Sequence, residues 1–164
     1  MTETIWNGYK RIEFIFEGRT AIVVFPSQPN EKKNWLLKTE YFAAFQGFEL
    51  QMLARGWHLA YVGNKSRWDF AEDLDIKKRF AKHLQETYGL ADKCFPVGMS
   101  CGGMIGVKLA ARHPEYVDVL YLDAPVMNFL SCPARFGDAP DVHDGMWDEF
   151  TKAWGMTKRE LLTF

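Results

Sequence analysis

Gly98-Met99-Ser100-Cys101-Gly102 has the spacing G-x-S-x-G. That pattern describes a nucleophile elbow, where a serine sits on a strained strand-to-helix turn and its hydroxyl stands clear of the backbone. The strain explains the glycines. With Ser100 in an unusual backbone conformation, a side chain two residues before or after it would collide with the adjoining strand and helix. Three fixed positions in five also recur by chance, so the flanking sequence decides. Phe95-Pro96-Val97 ends a short apolar run that follows the loop Gly89-Leu90-Ala91-Asp92. Beyond the elbow, Met104 to Ala111 predict a helix that stops near His113-Pro114, because proline disfavours helix at the residue before it. Val117 to Leu122 is a second β-rich run. Strand, elbow, helix, strand is the context the motif requires.

A serine hydroxyl is a poor nucleophile at neutral pH. It needs a base, the base needs an acid to fix its tautomer, and the developing oxyanion needs donors. The backbone N–H of Cys101, first in the elbow helix, is one donor. The second is expected in the loop after the Thr20–Phe25 strand, where Pro26 and Pro29 cannot donate and Ser27 and Gln28 can. In the order serine, acid, histidine, only His113 and His143 follow Ser100. His113 lies about twelve helical residues away at ~1.5 Å each, so it points away from the serine. The set within this sequence is therefore Ser100, Asp123 as acid and His143 as base. The plainer alternative is that Asp123 orders a loop and His143 is a solvated loop residue. Cys101 is disfavoured as a nucleophile, because the elbow exposes position 100 and buries the next side chain. Trp68 and Arg67 are expected on the rim, to stack on a sugar or hold a carboxylate, with plain packing the alternative for Trp68. Lys38 and Glu40 are expected to form an ion pair that braces their loop.

The elements that must position these groups are legible in outline. Ile12 to Phe16 and Thr20 to Phe25 read as an antiparallel hairpin about Glu17-Gly18-Arg19, and the second run is apolar enough to be buried on both faces. Pro26 to Asn34 is a loop. Thr39 is expected to cap a helix that runs to about Arg55, with Phe42, Phe45, Glu49, Met52 and Leu53 on one face, stopped by Gly56. Trp57 to Val62 is a strand and Gly63 to Trp68 a loop. A helix starts near Asp69–Glu72 and runs to Tyr88, where Gly89 stops it. Alternating strands and helices imply an α/β fold, a mostly parallel sheet with helices on both faces. Sites in such sheets lie at the carboxyl ends of the strands. That rim is expected to gather Pro26–Lys38, Gly63–Trp68, Ser100 and Asp123–Asn128. Residues 126–164 read as an excursion of the same single domain: a loop rich in Pro, Gly and Asp from Ser131 to Gly145, a short helix from Met146 to Trp154, and a capping box at Thr157–Glu160.

Composition narrows the partners. The chain has 164 residues, 48% of them hydrophobic, which suits one soluble domain with a real core. A net charge of -1 gives no argument for nucleic acid or an anionic membrane surface. No run approaches the ~20 apolar residues of a membrane helix. The first residues lack a basic start and an apolar signal core, so a cytoplasmic location is expected. Cys94, Cys101 and Cys132 lack metal-ligand spacing and read as free thiols; no metal or cofactor is expected. Asn64-Lys65-Ser66 fits a glycosylation sequon and is taken as a chance match.

The segments Trp35-Leu36-Leu37-Lys38-Thr39-Glu40-Tyr41-Phe42, Gly98 to Gly103, and Leu122-Asp123-Ala124-Pro125-Val126 resemble bacterial α/β-hydrolases of the prolyl-oligopeptidase or esterase kind. The resemblance runs from about Ile12 to Leu162. The elbow is specific for the superfamily, and the tryptophan–lysine–glutamate segment for the subgroup. It implies the α/β-hydrolase fold, Ser100 as nucleophile, no cofactor, and a small-molecule carboxylic ester as substrate, carbohydrate or acyl esters included. It also implies an acid after one more strand and a histidine later still, both past Phe164. By that comparison this sequence is the N-terminal two-thirds of a domain, with an open apolar sheet edge through which copies can pair. Two other functions are compatible with the residues: a hydrolase-like binding or interaction protein without a working triad, and a serine peptidase.

Overall fold

The chain opens with two tight hairpins. In a computed structural model that describes residues 1–68, 70–127, 144–157, 159 and 160, β1 (Thr2–Trp6), β2 (Tyr9–Phe16) and β3 (Arg19–Phe25) form an antiparallel meander. Both turns have two central residues at positive φ, Asn7 (49°) with Gly8 (83°) and Glu17 (47°) with Gly18 (78°). This turn geometry matches the twist of the strands it joins. The sequence reading missed β1, although Asn7-Gly8 is a strong hairpin signal.

The remaining elements alternate. They are β4 (Trp35–Lys38), α1 (Gly47–Ala54), β5 (His58–Val62), α2 (Ala71–Tyr88), β6 (Phe95–Met99), α3 (Cys101–Arg112), a 3-10 turn at Pro114–Tyr116, β7 (Tyr121–Asp123) and α4 (Asp144–Trp154). β4 stands where a loop and a helix start were expected. Thr39 caps no helix: its hydroxyl donates to the carbonyls of Val97 (3.1 Å) and Gly102 (2.7 Å). Tyr41 and Phe45 carry positive φ (53° and 50°), so this stretch is loop and α1 begins only at Gly47. The residue before α2 is Phe70, extended at φ -82°, ψ 137°; Asp69 lies outside the described residues.

The strands form one sheet in the order β1-β2-β3-β5-β4-β6-β7. β5, β4, β6 and β7 are mutually parallel, whereas β3 pairs antiparallel with β5. Alternation along the central strands feeds two cores. Ala21, Val23, Trp35, Leu37, Ala60 and Val62 pack with α2 and α3. Ile22, Val24, Leu36, Leu59 and Val97 pack with Leu53 of α1. The sheet is therefore mixed, not mostly parallel as expected: antiparallel from β1 to β5 and parallel from β5 to β7. Helices on both of its faces are a consequence of period-2 burial in strands that are apolar on both sides.

The chain divides into two compact units, Met1–Pro125 and Val126–Phe164. In the second, Trp147 meets Phe150 edge-on at 6.2 Å. Thr157 and Glu160 form the expected capping box, with Thr157 N–H donating to the Glu160 carboxylate (2.7 Å) and Glu160 N–H to the Thr157 hydroxyl (3.3 Å). No helix among the described residues is long and apolar enough to cross a membrane.

Candidate active site

β4 lies between β5 and β6, and the chain leaves it toward β5 through α1 before crossing back to β6 through α2. That reversal makes a crevice at the carboxyl ends of β4 and β6, where ligands bind in open α/β sheets. Ser100 follows β6 at this point. Its backbone sits at φ 54°, ψ -123°, a region that L-residues with a side chain rarely adopt. Three other residues with positive φ lie on the same rim: Tyr41 and Phe45 after β4, and Ala124 after β7. Strained backbone gathers at working sites because the surrounding structure must hold it there.

The elbow is held by close backbone approach. A Cβ on Gly98 would lie 2.7 Å from both the Gly102 carbonyl carbon and the Gly103 Cα. One on Gly102 would meet Thr39 Oγ1 and Glu40 Cβ at 3.0 Å, and one on Gly103 would meet Pro125 Cβ at 2.5 Å. Ser100 N–H donates to the Asp123 carbonyl (3.1 Å), and its own carbonyl accepts from Gly103 N–H (3.0 Å). Ser100 is half-buried, while the side chain of Cys101 is buried. The Tyr41 hydroxyl interacts with that thiol. Burial, reinforced by the thiol and opposed by Arg67, pushes the Tyr41 phenol up to about 12. Beside the elbow strand, on the face that carries α1, is a pocket of about 270 Å³ walled by Phe45, Phe48, Met99, Tyr121 and Asp123.

The rim differs in composition from the sequence expectation. Ser27 and Gln28 are not at the site. β3 runs against its neighbour, so the loop after Phe25 lies at the far end of the sheet. There Asn30 N–H donates to the Gly56 carbonyl (2.9 Å), and a Cβ on Gly56 would meet the Gln28 carbonyl at 2.6 Å. The loop that reaches the elbow follows β4 instead. In it, Thr39 N–H is spent on the Val97 carbonyl (3.1 Å), and Tyr41 N–H points to the Glu40 carboxylate (3.3 Å). Between them, the Glu40 nitrogen lies 3.3 Å from where a Gly102 Cβ would be. Trp68 is fully buried and has no face to offer a sugar. Arg67 lies over its ring at 5.4 Å and reaches the Tyr41 hydroxyl (3.5 Å). Lys38 pairs with Glu49, not Glu40, and this ion pair is buried.

The described histidines are committed elsewhere. His58 begins β5 at the end of the sheet remote from Ser100, and burial lowers its pKa. His83 lies on α2 against Phe14 and Phe16. His113 ends α3 and bonds Asp75 at 2.8 Å. Arg112 and His113 together hold the Asp75 carboxyl far below the usual range. Asp123 is on the rim, with its side chain exposed. His143 lies outside the described residues.

Glu40 belongs to a partly buried polar chain that the sequence did not reveal. Its carboxylate accepts from the Asn64 amide, and the Asn64 carbonyl accepts from Lys77. Lys77 is 1% exposed, and burial pulls it down to about 8 against the pull of Asp73 and Glu40. The stability consequence has a definite sign. Between pH 8 and 10.5 the unfolded chain holds a proton at Lys77 that the native chain lacks, so this group makes stability rise with pH. The difference in unfolding free energy between wild type and Lys77→Met is expected to move by on the order of 3 kcal/mol across that window. Cys94, Tyr41 and Tyr61, all pushed up to about 12, act in the opposite direction in both proteins and cancel from the difference. Urea titrations of both proteins at pH 7.5 and 10.5 measure it; a pH-independent difference would refute the assignment.

Known structures recover this architecture. The structure of DphMB1 superposes with a TM-score of 0.60 at 16% identity over 82% of this chain and 50% of that one. A serine hydrolase involved in carbazole degradation, the CarC enzyme, gives 0.54 at 16% identity over 75% and 50%. The fold is that of the α/β-hydrolases. A CIB-like hydrolase from Thermoplasma acidophilum gives 0.50 at 11% identity, over 71% of this chain and 63% of that one. The chain spans about half the length of the first two of these structures. No protein-family model matches it, and no curated protein does.

Proposed function

We propose that this chain carries the nucleophile of a serine hydrolase that acts on a carboxylic ester, with acyl and carbohydrate esters as the substrate class. The observation behind this reading is the backbone of Ser100, held at φ 54°, ψ -123° on a strand-to-helix turn at the switch point of the sheet. Ser100 Oγ attacks the ester carbonyl carbon and gives its proton to a base. The carbonyl oxygen gathers negative charge between the N–H groups of Cys101 and Glu40, the alcohol leaves with a proton, and water hydrolyses the acyl-enzyme. The base comes from outside the described residues. Within this sequence His143 is the candidate, with Asp123 as the acid that orients it. Arg67, in the loop after β5, is the candidate to meet an acidic group on the substrate.

An intact-mass spectrum before and after a fluorophosphonate probe tests this reading. One adduct is expected on the wild-type chain and none on Ser100→Ala. A folded wild-type chain without an adduct would refute it and leave a hydrolase-like binding protein. With the adduct in hand, acyl esters are expected to turn over faster than the matching peptidyl amides; the reverse order would make the protein a peptidase.

A further inference from the structure

We propose that Asn64 and Lys77 are positioning residues for the oxyanion site, setting the orientation of the Thr39–Glu40 peptide. The proposal rests on the serine hydrolase reading of Ser100 and adds a device that the elbow motif does not contain. In a trans peptide the C=O and N–H point in opposite directions. The Thr39 carbonyl and the Glu40 N–H belong to one peptide plane, so whatever fixes the first aims the second. Asn64 Nδ2 donates to the Thr39 carbonyl at 2.8 Å and also to the Glu40 carboxylate. On the other side, the Thr39 hydroxyl is anchored to Gly102 and Val97. The peptide is clamped with its carbonyl toward Asn64.

Asn64 can hold it only with its amide turned one way. A flipped side chain would set a carbonyl against the Thr39 carbonyl and the Glu40 carboxylate, and an NH2 against the Lys77 ammonium. Lys77 prevents this by donating to Asn64 Oδ1 and, at 3.4 Å, to the Val62 carbonyl. A lysine buried to 1% exposure is expensive. Here its hydrogen bonds go to two neutral oxygens, while Asp73, Glu40 and Arg19 act on it only through their charge. The loop that carries Asn64 is pinned in turn, because Asp73 accepts from Lys65 N–H (2.8 Å) and Ser66 N–H (3.2 Å) and pairs with Arg19 (3.1 Å). The chain of contacts thus runs from α2 through the β5 loop to the β4 loop, and ends on an N–H beside the elbow.

The experiment follows phosphonylation of Ser100 by a fluorophosphonate, resolved into a rate (kinact) and a binding constant (KI), in wild type, Asn64→Leu and Lys77→Met. Amide hydrogen exchange over residues 36–44 is measured alongside. The expected result is a fall in kinact of about 10- to 100-fold with KI unchanged, since a misaimed donor is felt where charge develops, together with faster exchange at Thr39, whose N–H bonds the Val97 carbonyl. A purely structural brace would lower the melting temperature and leave kinact of the folded protein intact, and that outcome overturns the proposal. Asn64→Ser, at a partly exposed position, replaces any variant that fails to fold. If the wild type takes no adduct, the hydrolase reading fails by itself, and the exchange arm decides: unchanged exchange at Thr39 overturns the positioning role, and faster exchange supports it.

Discussion

Gly98→Ala is expected to lower the stability of the chain by about 3 kcal/mol and to silence Ser100. Overpacking a filled site typically costs 1–3 kcal/mol because side chains can shift out of the way. This site has none to shift. The added methyl would meet the Gly102 carbonyl group and the Gly103 Cα, all backbone. Relief requires β6 and the start of α3 to separate, which unmakes the turn that holds Ser100 at positive φ. Gly103→Ala presses against Pro125 and should behave in the same way. Gly47→Ala is the control. It opens α1, nothing lies within 4 Å of its missing Cβ, and alanine suits a helix better than glycine. Thermal unfolding should show a loss of about 6–12 °C for Gly98→Ala, at 2–4 °C per kcal/mol for a chain of this size. Gly47→Ala should stay within about 2 °C of wild type. Equal midpoints for all three proteins would mean that the elbow is not tightly closed.

How the site could be read before the fold was known follows from the range of the interactions involved. Ser100 and its glycines were legible because the elbow is local: five residues and their two flanking elements carry the whole signal. α2 was legible because Leu74, Ala81 and Leu84 repeat at helical spacing and are buried. β4 was not. Trp35–Lys38 is four residues long, too short for alternation to be seen, and it ends in a lysine. It becomes a strand because β5 and β6 supply partners on both sides, and both of those lie far along the chain. With β4 missed, the loop beside the elbow was expected after β3, at Ser27 and Gln28, whereas the loop that reaches the elbow follows β4. Asn64 and Lys77 gave no signal either. One sat in a sequon taken as a chance match, and the other was not singled out in the sequence. Only the sheet places them side by side under the rim.

The buried pair Lys38–Glu49 yields the second large effect. Both residues are 2% exposed, Lys38 also donates to the Ala44 carbonyl (3.2 Å), and Oε2 of Glu49 has no hydrogen-bond partner among the described residues. Two charges taken out of water recover that cost only through each other and through the bonds that satisfy their remaining atoms. Half of the carboxylate is unsatisfied, so the pair is a poor source of net stability. Removing one member is another matter, because it leaves an uncompensated buried charge. Lys38→Met and Glu49→Leu should each cost about 3–5 kcal/mol, whereas the double variant should fall within about 2 kcal/mol of wild type or exceed it. Urea unfolding of the four proteins gives the coupling energy directly. Additive single effects would show that the charges do not depend on each other. The pair has a further consequence for the site. Through Ala44, Lys38 ties the loop carrying Tyr41 and Phe45 to the end of β4, so the double variant should be stable yet looser there. Faster hydrogen exchange over residues 41–46 at unchanged global stability is the expected signature. It would mean that the ion pair is kept for the shape of the rim, with little return in folding energy.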